Sequence, residues 1–268
     1  MTRSFAGATA VISGAAGGLG RALARSFGEA GSRVVLLDRD EVALEAAAIE
    51  LAAAGVESRA FPCDVTDECA CADAIERGVA QFGRLDVLVN NAGITHRSAF
   101  AATQTEVLRR VLDVNLFGAI HLTRAALPHL KRTRGLVIAL SSVAGFTPLI
   151  ARTGYSASKH ALHGFFESLR TELAPDGVGV MMVCPSFIAT GIDRNALGPT
   201  GGAATHAQVV IGRRLQPEDV ADRIVRGAGR DRRLLLIGGT AHAAWWVSRI
   251  APGLYERMMA RKLRGEMS

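Results

Sequence analysis

Lysine is almost absent from this 268-residue chain: Lys131, Lys159 and Lys262 are three of 31 cationic side chains. Tyrosine and tryptophan are as scarce, with two of each, and aromatic residues make up only 5% of the sequence. No basic run interleaved with aromatics occurs outside the C-terminus and the net charge is +6, which argues against a nucleic-acid partner. The four cysteines, Cys63, Cys69, Cys71 and Cys184, include no pair at the two-residue spacing of zinc or redox sites. No metal is expected, and the thiols read as packing residues of a reducing cytoplasm. No stretch approaches the ~18 consecutive apolar residues of a membrane-crossing helix. The opening MTRSFAGATAVIS lacks a long apolar run ending in a small-residue cleavage site. The expected localisation is cytoplasmic.

What is present is ample core material: 49% of the residues are apolar. Short β-branched runs alternate with longer amphipathic stretches. Strands are expected at 9–13, 33–37, 58–62, 85–89, 135–140, 178–183 and 233–237. Helices are expected at 19–30, 41–54, 67–81, 105–130, 152–173 and 217–226, with Pro128 marking the end region of the fourth and Pro217 opening the last. The strands are apolar nearly throughout, the mark of strands buried on both faces of a parallel sheet. Strict βα alternation gives an α/β, doubly wound, Rossmann-type sheet of seven strands flanked by helices. Residues 1–239 read as one domain and 240–268 as a C-terminal helical extension.

The segment SGAAGGLGRAL (13–23) joins the first strand to the first helix, with Gly14, Gly18 and Gly20 spaced for a dinucleotide. Such a loop must turn sharply, bring N–H groups against a pyrophosphate and let the helix start close to the sheet, and only glycine permits all three. Leu19 opens the helix. Asp38 ends the second strand, where a carboxylate holds a ribose 2′-hydroxyl and repels a 2′-phosphate. Arg39 beside it is able to pair with a 2′-phosphate, and Asp40 competes for the role of helix cap. NAD is expected as the preferred cofactor, with NADP as the alternative.

Tyr155 and Lys159, in YSASK, stand four residues apart on one helix face. Free tyrosine titrates near ~10, too high for a base at neutral pH. A nearby ammonium is expected to lower that value and make the pair a tunable acid/base. It falls at the carboxyl edge of the sheet, after the fifth strand. His96, His121, His160 and His163 are assigned no catalytic role; exposed or capping positions are expected for all four, with His96 at most a pocket-wall residue.

The glycine loop, NNAG (90–93), SS (141–142) and YSASK (155–159), in this order and spacing, resemble the compact branch of the short-chain dehydrogenase/reductase family over about residues 5–238. The resemblance implies strand order 3-2-1-4-5-6-7, a nicotinamide cofactor and interconversion of alcohols and carbonyls. It implies that Asp64 contacts the adenine beside Val65, and that Asn91, Ala92 and Gly93 border the adenine ribose. It further implies a catalytic set of Ser142, Tyr155, Lys159 and Asn115, with Lys159 also binding the nicotinamide ribose and Asn115 holding a water that links Lys159 to solvent. PSFIAT (185–190) matches the nicotinamide-contacting segment, which places Pro185, Ile188 and Thr190 at the cofactor. Ser13 stands where the family usually has Thr, and Ser186 where it usually has Gly. A homodimer or homotetramer is implied as well.

Segments 94–100, 143–150 and 186–213 are expected to wall the substrate pocket, contributing Phe146, Leu149, Ile150, Phe187 and Ile192. An apolar small molecule, a secondary alcohol or ketone of steroid-, lipid- or aryl-like character, fits such a wall better than a sugar. Two alternatives share parts of this pattern: a non-catalytic NAD-binding scaffold or sensor, and a sugar-nucleotide epimerase or dehydratase. The tail 240–268 interleaves Trp245, Trp246, Val247, Ile250, Leu254, Tyr255, Met258, Met259 and Leu263 with five cations, against Glu256 and Glu266. Helices are expected on both sides of a break at Pro252-Gly253, packed over the pocket or a partner subunit, with peripheral membrane contact as a further role.

Overall fold

A computed structural model describes residues 3–205, 209–210 and 212–262. The seven strands are β1 (Thr9–Ser13), β2 (Arg33–Asp38), β3 (Ser58–Pro62), β4 (Val87–Asn90), β5 (Leu136–Leu140), β6 (Gly179–Pro185) and β7 (Leu234–Ile237). They form one sheet in the order β3-β2-β1-β4-β5-β6-β7, and every pairing is parallel. Successive strand residues feed opposite cores. Ala10, Ile12, Val34 and Leu36 pack on one face, and Val11, Val35 and Leu37 on the other. That two-sided burial is why the inner strands are apolar nearly throughout, whereas the edge strand β3 leaves Arg59 and Pro62 exposed.

Helices α1 (Gly18–Glu29), α2 (Glu41–Ala53) and α7 (Pro217–Gly229) cover the first face; α3 (Glu68–Phe82), α5 (Gly118–Thr133) and α6 (Thr153–Leu173) cover the second. Helix α4 (Thr105–Leu112) precedes α5 and packs against α6. Asp40 and Asp67 accept N–H bonds in the first turns of α2 and α3, so local capping fixes where both begin. Strand order reverses between β1 and β4, which opens a crevice at the carboxyl edge of the sheet.

The expected helix at 105–130 is not continuous. A π-turn at Asp113–Phe117 separates α4 from α5, and Asn115 sits in it. Pro128 does not end α5, which runs on to Thr133. An interior proline costs ~3 kcal/mol. The burial of Leu122, Ala126 and Leu130 offsets it, since a fully buried leucine contributes ~1.5–3 kcal/mol. Cys63, Cys71 and Cys184 are buried, as packing thiols should be, but Cys69 is exposed on the outer side of α3.

The C-terminal extension forms α8 (Gly239–Ile250) and α9 (Pro252–Lys262). The break falls at Ala251, one residue before the expected Pro252-Gly253 joint. Proline's fixed φ and missing N–H suit the first position of a helix, so Pro252 opens α9. Leu263, Arg264 and Glu266 lie outside the described residues, as do 206–208 and 211 of the third wall segment. Among the described residues no helix is long and apolar enough to cross a membrane, and no group of side chains could hold a metal ion.

Candidate active site

The crevice widens into a continuous cleft of about 1200 Å³ that runs from the glycine loop to α9. At one end lies the start of α1. Its N-cap, Gly17, offers no side-chain cap, so the N–H groups of the first turn are left to a ligand. Gly14 adopts φ +64°, a left-handed conformation that glycine alone enters freely. A Cβ on Gly20 would lie 2.1 Å from the Gly14 carbonyl oxygen, so helix and loop touch only because the side chain is missing. Asp38 faces this end: its Oδ2 accepts from Ala16 N at 3.0 Å and its Oδ1 from Asp40 N at 3.2 Å. Asp40, not Asp38, caps α2. An uncapped helix start, a cradle that a Cβ would fill and a carboxylate at the end of β2 together fit a dinucleotide.

Most of the sequence-derived cofactor residues line this cleft: Gly14, Gly18, Leu19 and Gly20; Asp38 and Arg39; Asp64 and Val65; Asn91, Ala92 and Gly93; and Pro185, Ile188 and Thr190. Ser13 does not. Its hydroxyl is buried between strands, where it accepts from Asn91 N and Ala92 N at 3.1 Å and donates to Val89 O at 3.3 Å. It locks β1 to the end of β4 instead of facing a ligand. The pKa of Asp64 is lowered, first by the backbone N–H of Thr66 and further by its hydroxyl, Arg39 and Arg110. Sequence reasoning missed Arg110 and Arg21, which also line the cleft. They reach it from α4 and α1, and no motif marks them.

Ser142, Tyr155 and Lys159 meet midway along the cleft. Ser142 follows β5 and begins a short turn, its Oγ accepting from Ala144 N at 3.2 Å. Tyr155 lies in the first turn of α6, and Lys159 stands one turn on, its ammonium 5.7 Å from the Tyr155 ring centroid. The ammonium donates to Leu140 O at 2.7 Å. Burial leaves Lys159 5% exposed and lowers its pKa to about 8. The expected lowering of Tyr155 is not found. Burial raises its pKa, and the opposing pull comes from the Ser142 hydroxyl and Arg152, not from Lys159. Desolvation of the phenolate outweighs a cation that is itself engaged with a carbonyl.

Asn115 does not line the cleft. Its Oδ1 accepts from Ile94 N at 2.8 Å; its Nδ2 donates to Ile94 O and to Ser158 Oγ, both at 2.9 Å. The π-turn presents the side chain so that it ties the end of the β4 segment to α6. A Cβ on Gly93 would lie 3.2 Å from Asn115 Oδ1 and 3.6 Å from Lys159 Nζ, so the chain passes closely between them.

His96 is fully buried and is not a wall residue. It does cap a helix: Nε2 accepts the N–H of Gly154 at 2.9 Å, in the first turn of α6. His160 is exposed as expected. His121 and His163 are half-buried and face inward, His121 toward Val65 O and His163 toward Ser141 Oγ. Of the expected substrate wall, Leu149, Phe187 and Ile192 line the cleft. Phe146 and Ile150 turn away to pack beneath α8 and α9, Phe146 edge-on to Trp245 at 4.9 Å. Tyr255, Met258 and Met259 of α9 take their place in the wall. Buried Arg152, just before α6, adds a cation there that no motif announced.

The family described as short chain dehydrogenase matches residues 8–198. A dehydrogenase/reductase SDR family member 7B from Bos taurus is 38% identical over 268 residues, covering 97% of this chain and 82% of that protein. An SDR family protein 7-like from Anopheles gambiae is 34% identical, covering 97% and 84%. Among solved structures, a short chain dehydrogenase/reductase from Burkholderia phymatum in complex with NAD matches with a TM-score of 0.85 at 26% identity, covering 94% of this chain and 96% of its own. An alcohol dehydrogenase from the archaeon Thermococcus sibiricus, complexed with 5-hydroxy-NADP, matches with a TM-score of 0.73 at 26% identity, covering 86% and 95%.

Proposed function

From the premise that this chain belongs to the short-chain dehydrogenase family and is an oxidoreductase, we propose that it interconverts a secondary alcohol and a ketone or aldehyde on an apolar small molecule, with NAD preferred over NADP. The observation that carries this reading is the convergence of Ser142, Tyr155 and Lys159 in the cleft that begins at the glycine loop. A non-catalytic sensor on the same fold needs only the glycine-loop end.

The first turn of α1 and Asp38 hold the dinucleotide, Asp38 toward the adenosine ribose. A bound nicotinamide supplies or accepts the hydride. Tyr155 moves the proton: in oxidation its phenolate takes the hydroxyl proton of the substrate, and in reduction its phenol returns one to the carbonyl oxygen. Ser142 donates a hydrogen bond to that oxygen and keeps it within reach of Tyr155. Arg152 adds positive charge beside the phenolate as it forms, and Lys159, fixed at Leu140 O, is placed for the ribose of the nicotinamide. Leu149, Phe187, Ile192, Tyr255, Met258 and Met259 surround the body of the substrate and favour an apolar one. Arg152 favours a polar or anionic group near the reacting oxygen.

The test is a turnover screen of hydroxylated steroids, acyl derivatives and aryl alcohols, and of the matching ketones, with NAD and NADP side by side. Turnover of an apolar alcohol or ketone that Tyr155→Phe removes supports the reading. Cofactor binding without turnover of any of them would return the protein to the sensor class.

A further inference from the structure

Helices α8 and α9 present two different surfaces. Inward, Ala244, Tyr255 and Met259 pack with Val143, Phe146, Leu149 and Ile150, and the Tyr255 hydroxyl meets Thr147 Oγ1 at 3.2 Å. The Arg249 guanidinium lies over the Trp245 ring of its own helix, 3.2 Å from its centroid, and 5.8 Å from the Phe146 ring centroid, the contact that ties α8 to the segment after β5. Outward, Trp246 is 62% exposed and Ile250 77%, four residues apart on α8; Leu254 is 50% exposed and Met258 39%, four apart on α9. The two helices pack on each other and are joined through the single residue Ala251, so these apolar side chains lie on adjoining elements.

Charge accompanies them. The two helices carry Arg249, Arg257, Arg261 and Lys262 against one carboxylate, Glu256. At about 100° per residue, Arg257 and Arg261 fall to one side of Leu254 and Met258, and Lys262 to the other. An apolar row bordered by cations is the pattern of a helix that lies in a membrane interface. A second copy is a poor occupant, because a twofold contact brings a patch against itself and would set these cations against one another with only Glu256, among the described residues of the two helices, to pair them. Anionic lipid headgroups complement them.

We propose that the outward face of α8 and α9 docks the protein onto an anionic lipid bilayer. Trp246, Ile250, Leu254 and Met258 enter the acyl boundary, and Arg257, Arg261 and Lys262 sit among the headgroups. Met258 and Lys262 also line the cleft, so docking brings its mouth to the bilayer. The route this opens for a membrane-dissolved substrate rests on the apolar-substrate reading; the docking does not.

The experiment is co-sedimentation of the full chain with vesicles of phosphatidylcholine alone or with ~30% phosphatidylglycerol, at about 0.05 M and about 0.5 M salt. Tryptophan emission gives a second readout, since Trp245 and Trp246 are the two tryptophans of the chain. Binding to the anionic vesicles only, with a blue shift and with loss at high salt, is expected. The pair Trp246→Gln/Ile250→Gln should weaken it at least about tenfold, and so should Arg257→Gln/Arg261→Gln. None of these four lines the cleft, so retained NADH binding shows that each variant is folded. No sedimentation at any salt, or binding unaltered in both variants, overturns the proposal. So does a lipid-free dimer that Trp246→Gln/Ile250→Gln dissociates, which would make a second copy the occupant. Docking without turnover of any apolar substrate would leave the surface standing and remove the substrate reading.

Discussion

His96 Nε2 accepts the backbone N–H of Gly154 at 2.9 Å, one residue before Tyr155. The N-cap residue of α6, Arg152, makes no side-chain cap bond, so a histidine 58 residues away supplies the acceptor. The acceptor role requires the proton on Nδ1, which faces Ser98 Oγ at 3.3 Å; that hydroxyl meets Thr103 Oγ1 at 2.8 Å, which donates to Ala99 O. Ser98 N also donates to Ala151 O at 3.0 Å, and Ala151 stands at φ +57°. One loop therefore grips the start of the tyrosine-bearing helix at two points. His96→Leu should lower kcat at least about tenfold, since an unpaired buried N–H costs ~1–3 kcal/mol and Tyr155 sits next to it. His96→Gln, which keeps an acceptor at that reach, should restore most of the loss, and NADH affinity should stay level in both. Wild-type kcat in His96→Leu would show that the bond positions nothing.

Burial, and secondarily Arg152, lowers the His96 pKa to about 4 from an unfolded value near 6.5. Between these values the unfolded chain takes up a proton that the folded chain refuses. The contribution to stability is therefore full above the unfolded pKa and is lost as pH falls through about 4. The gap corresponds to on the order of 3 kcal/mol. Denaturant unfolding at pH 7 and near pH 4.5 should show His96→Gln losing less stability than the wild type; parallel losses would refute the linkage.

Lys159 carries a cost of the same kind. Its pKa of about 8, lowered by burial, means that the folded state holds the ammonium unfavourably at pH 7. That penalty disappears as pH rises through 8 toward the unfolded value near 10.5. Lys159→Met should abolish turnover and weaken NADH binding, yet stabilise the fold at pH 7 by about 1–3 kcal/mol, after allowance for the lost bond to Leu140 O. Thermal melting at pH 7 measures this, and a lowered Tm would contradict it.

Tyr155→Phe removes the proton carrier while keeping the ring. Turnover should fall at least about a hundredfold, with NADH affinity nearly intact by fluorescence titration. Because burial raises the phenol pKa, the oxidation rate of the wild type should climb with pH through the neutral range and beyond. A flat profile up to pH 9 would require a different base.

Asp38 should set cofactor preference through its place at the glycine loop. Asp38→Ala should move the ratio of kcat/KM for NAD over NADP at least about tenfold toward NADP, with Arg39 free to meet the 2′-phosphate. A wild type that already favours NADP would assign the choice to Arg39, Arg21 and Arg110 instead.

The sequence alone determined the sheet, the crossovers, the glycine loop and the Tyr155–Lys159 pair. Each is written in near neighbours: two-sided apolar runs, caps such as Asp40 and Asp67, glycines where a Cβ has no room, and two side chains one helical turn apart. Tertiary structure decided whatever depends on distant segments. Packing lets α5 carry Pro128 and turns Ser13 between the strands. Burial, not charge, sets the pKa values of Tyr155 and Lys159. His96 becomes a helix cap because the chain returns to it 58 residues later, and α8 and α9 become a wall of the cleft because Phe146 and Ile150 offer them a seat. Periodicity records which face of an element is apolar; only the folded chain determines what that face meets and how much water is left around each charge.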